Sequence, residues 1–385
     1  MMTEPPAIQI VSFDWPWPPT YGGIVDVYYR IDSLLRAGVA VDCHVVSGAE
    51  PPAPAPAHWT PPLFRIFDYP RRGWTSAFDT RPYIVASRDV GRLLPSLAAG
   101  PPVILYEGIH TTATLGHPRL GGHVQWVRVH NREADYYRQL AHTDASLGQR
   151  LYYREEARRL SQYEPRVLAQ ADLLLPASQQ DEPFCEALAP GRVLGHRSYT
   201  TQREVASRLG RGEYVLYHAA MHVADNARAA VTLADRMRDL PEVRLVVAGR
   251  RPPGSLRARL AEQDNVALVA DPSVAQMQKL IGEAQVVALH AEHRAGYKVK
   301  VVESLAQGRF VLANEDIMHG APGLRSGVTV AEGGEAWRAA LVALMRREFG
   351  EAELAARRLL LRGYLRDDLV AELVTQIRSA TFRTN

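Results

Sequence analysis

Short unbroken apolar runs alternate along this chain with longer stretches whose apolar positions recur every third or fourth residue. The runs include AIQIVSF (Ala7 to Phe13), PPVILYEGIH (Pro101 to His110), DLLLPAS (Asp172 to Ser178), EYVLYHAAMH (Glu213 to His222), NVALVAD (Asn265 to Asp271), AQVVALHA (Ala284 to Ala291) and RFVLANED (Arg309 to Asp316). Such runs read as strands buried on both faces, as in a parallel sheet. The stretches between them, such as Ile24 to Ala37 ended by Gly38, read as amphipathic helices. Strand, helix, strand, repeated in both halves, predicts an α/β protein with two doubly wound parallel sheets.

Some segments break the rhythm. PPAPAPAHWTPP (Pro51 to Pro62) reads as a surface loop. PYIVASRDV reads as a strand or short helix, and SQQDEPFCEAL as a short capped helix. Gly334 to Ile377 reads as helical throughout. We find no internal repeat. The expected organisation is a first domain over 1–190, a linker region over 191–212, a second domain over 213–360, and a C-terminal helix over 361–385 that packs toward the first domain.

Composition narrows the class. The 46% hydrophobic and 23% charged content is that of a globular protein with a real core. A net charge of +3 is too weak to argue for nucleic acid. It leaves open a peripheral contact with an anionic membrane surface. Cys43 and Cys185 are far apart and in no metal-binding spacing, which fits a reducing compartment. The N-terminal sequence shows no signal peptide, and no window suits a membrane span. The expectation is a cytoplasmic protein, with peripheral association at the inner face of the membrane left open.

Candidate chemistry gathers just past the carboxyl ends of the strands, where open α/β sheets bind ligands. Gly22 and Gly23 open the first helix in PPTYGGIVDVYY, where backbone can approach a ligand, with Tyr21 and Asp26 beside them. Neither a G-x-G-x-x-G fingerprint nor a P-loop is present. Glu107 and His110 follow one strand, and His130, Asn131 and Glu133 follow another in VQWVRVHNRE. A satisfied polar residue at a strand end is the plain alternative for each. Gly249 and Arg250 end VRLVVAGR, and Arg250 is placed to clamp a diphosphate.

The stretch HAEHRAGYKVKVVESLAQG (His290 to Gly308) carries the most specific signal. Gly296 and Tyr297 lead into a helix that Gly308 stops, and its first amides favour an anion. Among 45 Lys and Arg there are three lysines, and Lys298 and Lys300 both lie here. Lys298 reads as a phosphate ligand at the helix start. For Lys300 a solvated position is preferred. Glu303 sits among Val301, Val302 and Leu305 and is expected to look back into the cleft.

AGYKVKVVESLAQGRFVLAN resembles the donor-site helix of retaining GT-B glycosyltransferases of the family-four type, in a bacterial sub-group with a G-x-K-x-K motif. The resemblance implies two Rossmann-like domains facing a cleft, with C-terminal helices crossing back to the first domain. It makes Glu303 the ribose ligand and puts Gly22, Gly23, Gly249, Arg250, Gly296, Tyr297, Lys298 and Val299 around a nucleotide-diphosphate sugar. It places His130 near the anomeric centre, so that His130, Lys298 and Arg250 form the expected catalytic set. Tyr21, Asp26, Glu107, His110, Asn131 and Glu133 become acceptor-side candidates. Ala295 stands where the family has its first glutamate, so the donor sugar does not carry over. No Asp-x-Asp is present, so neither metal nor cofactor is expected. The implied partners are a UDP- or GDP-sugar donor and a glycan, lipid-linked or small-molecule acceptor, and the implied setting is cell-envelope glycan or glycoconjugate synthesis. A sugar-nucleotide 2-epimerase and a non-catalytic sugar-nucleotide binding protein are the alternatives.

Overall fold

The computed structural model describes residues 5–19, 22–73, 79–142, 146–292 and 299–384. The chain divides into two compact units, Met1–Tyr199 with Arg366–Asn385, and Thr200–Leu365. Each is built on a six-stranded, all-parallel sheet flanked by helices, as the alternating pattern predicts.

In the first unit the order is β1 (Ala7–Ser12), α1 (Gly22–Arg36), β2 (Ala40–Ser47), β3 (Phe64–Pro70), α2 (Tyr83–Ala86), α3 (Leu93–Ala98), β4 (Val103–Glu107), β5 (Val124–Val129), α4 (Glu133–Leu140), α5 (Leu147–Leu168), β6 (Leu173–Pro176) and α6 (Glu182–Leu188). In the second it is β7 (Val215–Ala220), α7 (Ala224–Met237), β8 (Leu245–Arg250), α8 (Gly254–Leu260), β9 (Val266–Ala270), α9 (Val274–Glu283), β10 (Val286–Leu289), α10 (Val299–Gln307), β11 (Phe310–Ala313), α11 (Glu315–His319), β12 (Thr329–Val330), α12 (Gly334–Arg346) and α13 (Glu351–Leu360). The last helix, α14 (Arg366–Thr384), belongs to the first unit again. Its Leu373, Ile377 and Ala380 join Val27, Ile31 and Leu34 of α1 in one apolar cluster.

The strands run β3-β2-β1-β4-β5-β6 in one sheet and β12-β11-β10-β7-β8-β9 in the other. Read from its own first strand, each is the doubly wound order 3-2-1-4-5-6. The order in which strands are added therefore reverses between β1 and β4, and again between β7 and β10. In open sheets of this order such switch points are where ligands bind.

Two local expectations need correction. The segment Gly334 to Ile377 is not one continuous helical stretch. Phe349 interrupts it, exchanging backbone hydrogen bonds with Gly210 at 2.9 and 3.0 Å while its ring packs 5.5 Å from that of Phe310. Gly363, at φ +76°, separates α13 from α14. At α6 the expected side-chain cap is missing, because Asp181 sits in helical geometry and its carboxylate bonds no first-turn amide.

Gly249 is required by packing. A Cβ there would lie 1.9 Å from the carbonyl oxygen of Ala219 on β7. Gly249→Ala is expected to destabilise the second unit by about 1–3 kcal/mol, the usual range for overpacking. Hydrogen exchange of the β7 and β8 amides would show it. Unchanged protection would mean that the sheet yields without strain.

Candidate functional site

The first unit's polar centre is a buried ionic cluster on α1, β4 and β5. Asp26 faces inward from α1, and Glu107 ends β4. Both are essentially inaccessible, at 1% and 0% exposure. Arg30, one turn after Asp26, bridges the two, with Nη2 donating to Asp26 Oδ2 at 2.5 Å and Nη1 donating to Glu107 Oε1. Arg128, inside β5, donates Nε to Asp26 Oδ2 at 2.9 Å, and the Tyr199 amide donates to Asp26 Oδ1 at 2.6 Å. Burial alone would raise both carboxyls. For Asp26, Arg128, Arg30 and His130 outweigh burial; for Glu107, Arg30 and His130 do. Both stay ionised.

This cluster holds His130. Its Nε2 lies 2.9 Å from Glu107 Oε2, and its Nδ1 lies 3.6 Å from Asp26 Oδ2. The carboxylate fixes the proton on Nε2 and leaves Nδ1 outside hydrogen-bond range of Asp26. Asp26, Glu107 and His130 bring ligand-type atoms within 4.8 Å of one another. They do not suit a cation. Each carboxylate oxygen already takes a hydrogen bond, and two guanidinium groups occupy the same space.

Gly108 follows β4 at φ +74°, a conformation few side chains tolerate. A Cβ there would come within 3.1 Å of His110 and 3.4 Å of His130. The glycine thus lets two imidazoles flank one turn. The Phe13 ring packs against both, at 5.3 and 5.8 Å. The remaining candidates are less convergent. Asn131 Nδ2 donates to Glu133 Oε1 at 3.3 Å, and Glu133 is buried at the head of α4. Glu164 of α5 accepts the amides of Glu133 and Ala134 at 2.8 and 3.1 Å, capping that helix. Burial pushes Glu133 up to about 8 and Glu164 to about 7. Glu156, two turns earlier, accepts the amides of Tyr83 and Ile84 in the same way. Gly22 starts α1 with open space where a Cβ would stand, and Gly23 follows within the helix. Tyr21 lies outside the described residues.

In the second unit, Gly296, Tyr297 and Lys298 fall outside the described residues. Val299 opens α10, half-buried. Glu303 is half-buried and accepts from Thr201 Oγ1 at 3.3 Å. Burial raises it to about 6 against the Thr201 hydrogen bonds. Lys300 also turns inward, with Nζ 5.7 Å from the centre of the Tyr217 ring, rather than standing in solvent. Arg250 ends β8 half-buried, and among the described residues its guanidinium has no partner.

Several supporting residues went unread in the sequence. Arg30 and Arg128 were signalled only by charge inside otherwise apolar segments. His218 of β7 bonds Ser304 of α10 at 3.1 Å. Burial, then Lys300, push it down to about 3, so it stays neutral. Arg357 of α13 donates to the carbonyls of Leu305, Gly308 and Arg309, closing the carboxyl end of α10. Burial lowers Arg357 to about 10, so it still carries the charge that the helix end favours.

Residues 212–347 match the sequence profile of the family described as "Glycosyl transferases group 1". The "Uncharacterized 44.6 kDa protein in cps region" of Klebsiella pneumoniae is 22% identical over 322 residues, 80% of this chain and 82% of that protein. Among solved structures, sucrose-phosphate synthase from Thermosynechococcus elongatus aligns at 17% identity with a TM-score of 0.63, covering 98% of both chains. An α,α-trehalose 6-phosphate synthase from Burkholderia multivorans aligns at 13% identity and 0.61, covering 99% of this chain and 100% of that one. TarM aligns at 7% identity and 0.63, covering 100% and 99%. The architecture is the two-domain GT-B fold.

Glu133 holds its proton more tightly folded than unfolded. That contribution is complete below about pH 4.3, the unfolded value, and is lost as the pH rises toward about 8. Glu133→Gln is therefore expected to stabilise the first unit at pH 8, by at most about 5 kcal/mol, and to flatten its stability between these limits. Urea unfolding followed by tryptophan fluorescence suits the test, since Trp15, Trp17, Trp59, Trp74 and Trp126 precede Thr200. An unaltered pH slope would count against a protonated Glu133.

Proposed function

We propose that the protein is a retaining glycosyltransferase. It moves a hexose-type sugar from a UDP- or GDP-sugar to a hydroxyl acceptor in the synthesis of a cell-envelope glycan or glycoconjugate, without a divalent metal. The observation that carries this reading is the half-buried Glu303, held by Thr201 on α10, inside the segment that matches the glycosyl transferase profile. A carboxylate sheltered from bulk water beside the β7/β10 switch is suited to bind a diol such as a ribose. The relative from a cps region is in keeping with glycan synthesis.

In this reading the second unit holds the donor. Arg250, whose guanidinium at the end of β8 has no partner among the described residues, supplies one charge to the diphosphate. Lys298 and the first amides of α10 supply the rest, a preorganised field for the negative charge that grows on the leaving group. The first unit holds the acceptor. Asp26 and Glu107 act through His130, fixing its ring from the Nδ1 and Nε2 sides. No step needs a carboxylate nucleophile. The acceptor hydroxyl attacks on the face the diphosphate leaves and gives its proton to the departing phosphate oxygen, so the anomeric configuration is kept. No described helix is long and apolar enough to cross a membrane. A lipid-linked acceptor would therefore meet the protein at the bilayer surface.

Slow hydrolysis of nucleotide sugars tests the activity without knowledge of the acceptor. Across a panel of UDP- and GDP-hexoses, one donor is expected to release free sugar with its configuration retained, as read by proton NMR. No hydrolysis of any donor, with no nucleotide binding by calorimetry, would sink the proposal. Interconversion of the donor to an epimer would replace it with a 2-epimerase. With the active donor, His130→Ala and Lys298→Ala are each expected to lower kcat by about 100- to 1,000-fold, and Glu303→Ala chiefly to raise the donor KM. Full activity in both of the first two variants would refute the site.

A further inference from the structure

At the carboxyl ends of β1, β3 and β4 a continuous set of contacts runs from Arg71 to His110. Arg71 follows β3, where its amide donates to Ser47 O at 3.0 Å and extends the pairing with β2. Its Nη2 donates to Ser87 Oγ at 2.9 Å, and its guanidinium carbon stands 5.8 Å from the centre of the Tyr83 ring. Ser87 adjoins Arg88, which donates Nη1 to Ile84 O at 2.8 Å and Nη2 to Phe13 O at 3.2 Å. Phe13 in turn packs on His110. Every link lies within the first unit.

Positive charge dominates this row. Arg71, Arg88 and His130 all reach His110 electrostatically, and together with burial, the largest cause, they hold it well below its ordinary value. His110 Nδ1 is buried and has no hydrogen-bond partner among the described residues. The surrounding carboxylates are engaged elsewhere. Glu156 caps Tyr83 and Ile84, and Glu107 pairs with Arg30 and His130. Asp79 and Asp89 pair with Arg81, and Asp14 accepts from the Trp15 amide and Ser47 Oγ. Among the described residues no carboxylate pairs with Arg71, and the stretch Trp74 to Phe78 contains no acid. A guanidinium drawn partly out of water without a counter-ion is unfavourable, and an oxyanion in its fork relieves that.

We infer that this row seats an oxyanion carried by the acceptor, a phosphate or a carboxylate, with Arg71 as its principal ligand and His110 beside it. The inference rests on the glycosyl-transfer reading and names the acceptor's chemical class. The group binds and orients; no bond to it is made or broken.

Two measurements test it. First, the imidazole NMR signals of the full chain are followed during titration with inorganic phosphate and, separately, acetate at constant ionic strength, with His110 assigned by its loss in His110→Asn. A saturable shift at His110 is expected with at least one anion, and its disappearance in Arg71→Gln. No saturable shift with either anion, or a shift that survives in Arg71→Gln, overturns the inference. Second, transfer from the donor found in the hydrolysis screen is compared across a hexose 6-phosphate, a hexuronic acid and the unmodified hexose. Preference in kcat/KM for one anionic acceptor over the neutral one should be about tenfold or more, as one charge-assisted hydrogen bond implies, and should collapse in Arg71→Gln. The two anionic arms tell phosphate from carboxylate. A preference for the neutral sugar, or a ratio unmoved by the substitution, overturns it. If no acceptor reacts, the titration alone decides. An anion that titrates at His110 while no donor is hydrolysed would remove the transferase reading and leave the anion seat. Hydrolysis without an anion effect would remove only the acceptor class.

Discussion

Two carboxylates and two guanidinium groups, buried together, set the geometry of the first unit. Asp26, Glu107, Arg30 and Arg128 balance in charge, so the cluster persists where any one of them alone would be strongly disfavoured. Well-packed apolar residues of the same volume are often as stabilising as a buried ion cluster, or more so. What they would lack is an orienting hold on His130. The ionic version sacrifices some stability for a ring in one tautomer at one angle, the kind of exchange found at functional sites. Gly108 completes the arrangement by leaving room for a second imidazole on the same turn.

The second unit reaches a similar end by other means. Its key helix, α10, is held along its length rather than at one charged point. Val301, Val302, Leu305 and Ala306 bury one side of it, His218 meets Ser304 on the sheet side, and Arg357 closes its carboxyl end. Gly308 lets the chain turn straight into β11, since a side chain there would strike the Ser304 carbonyl at 2.7 Å. A helix fixed in this way has the direction of its first amides set by the fold itself.

Much of the architecture was legible in the chain, because buried parallel strands leave long apolar runs that few other structures require. AQVVALHA and RFVLANED became β10 and β11, and Ile24 to Ala37 became most of α1. The inward setting of Glu303 was also foreseeable from its apolar neighbours. What the chain concealed was burial of charge. Arg30 and Arg128 look like ordinary surface arginines, and only their partners, 77 and 102 residues away in sequence for the pairs Arg30–Glu107 and Arg128–Asp26, explain them. The break at Phe349 was hidden for a related reason: its partner Gly210 is remote, and local propensity on either side favours helix.

The return of α14 to the first unit has a consequence for how the protein comes into being. The second unit is an insertion within the first, and everything it needs has been synthesised by Leu365. The first unit begins at the opposite end of the chain, yet Leu373, Ile377 and Ala380 form part of the core around α1. On the ribosome, then, the later-starting unit is the first to have all its parts. The earlier one waits with the apolar side of α1 uncovered until the final helix emerges, and that interval is when the nascent chain is most exposed to aggregation.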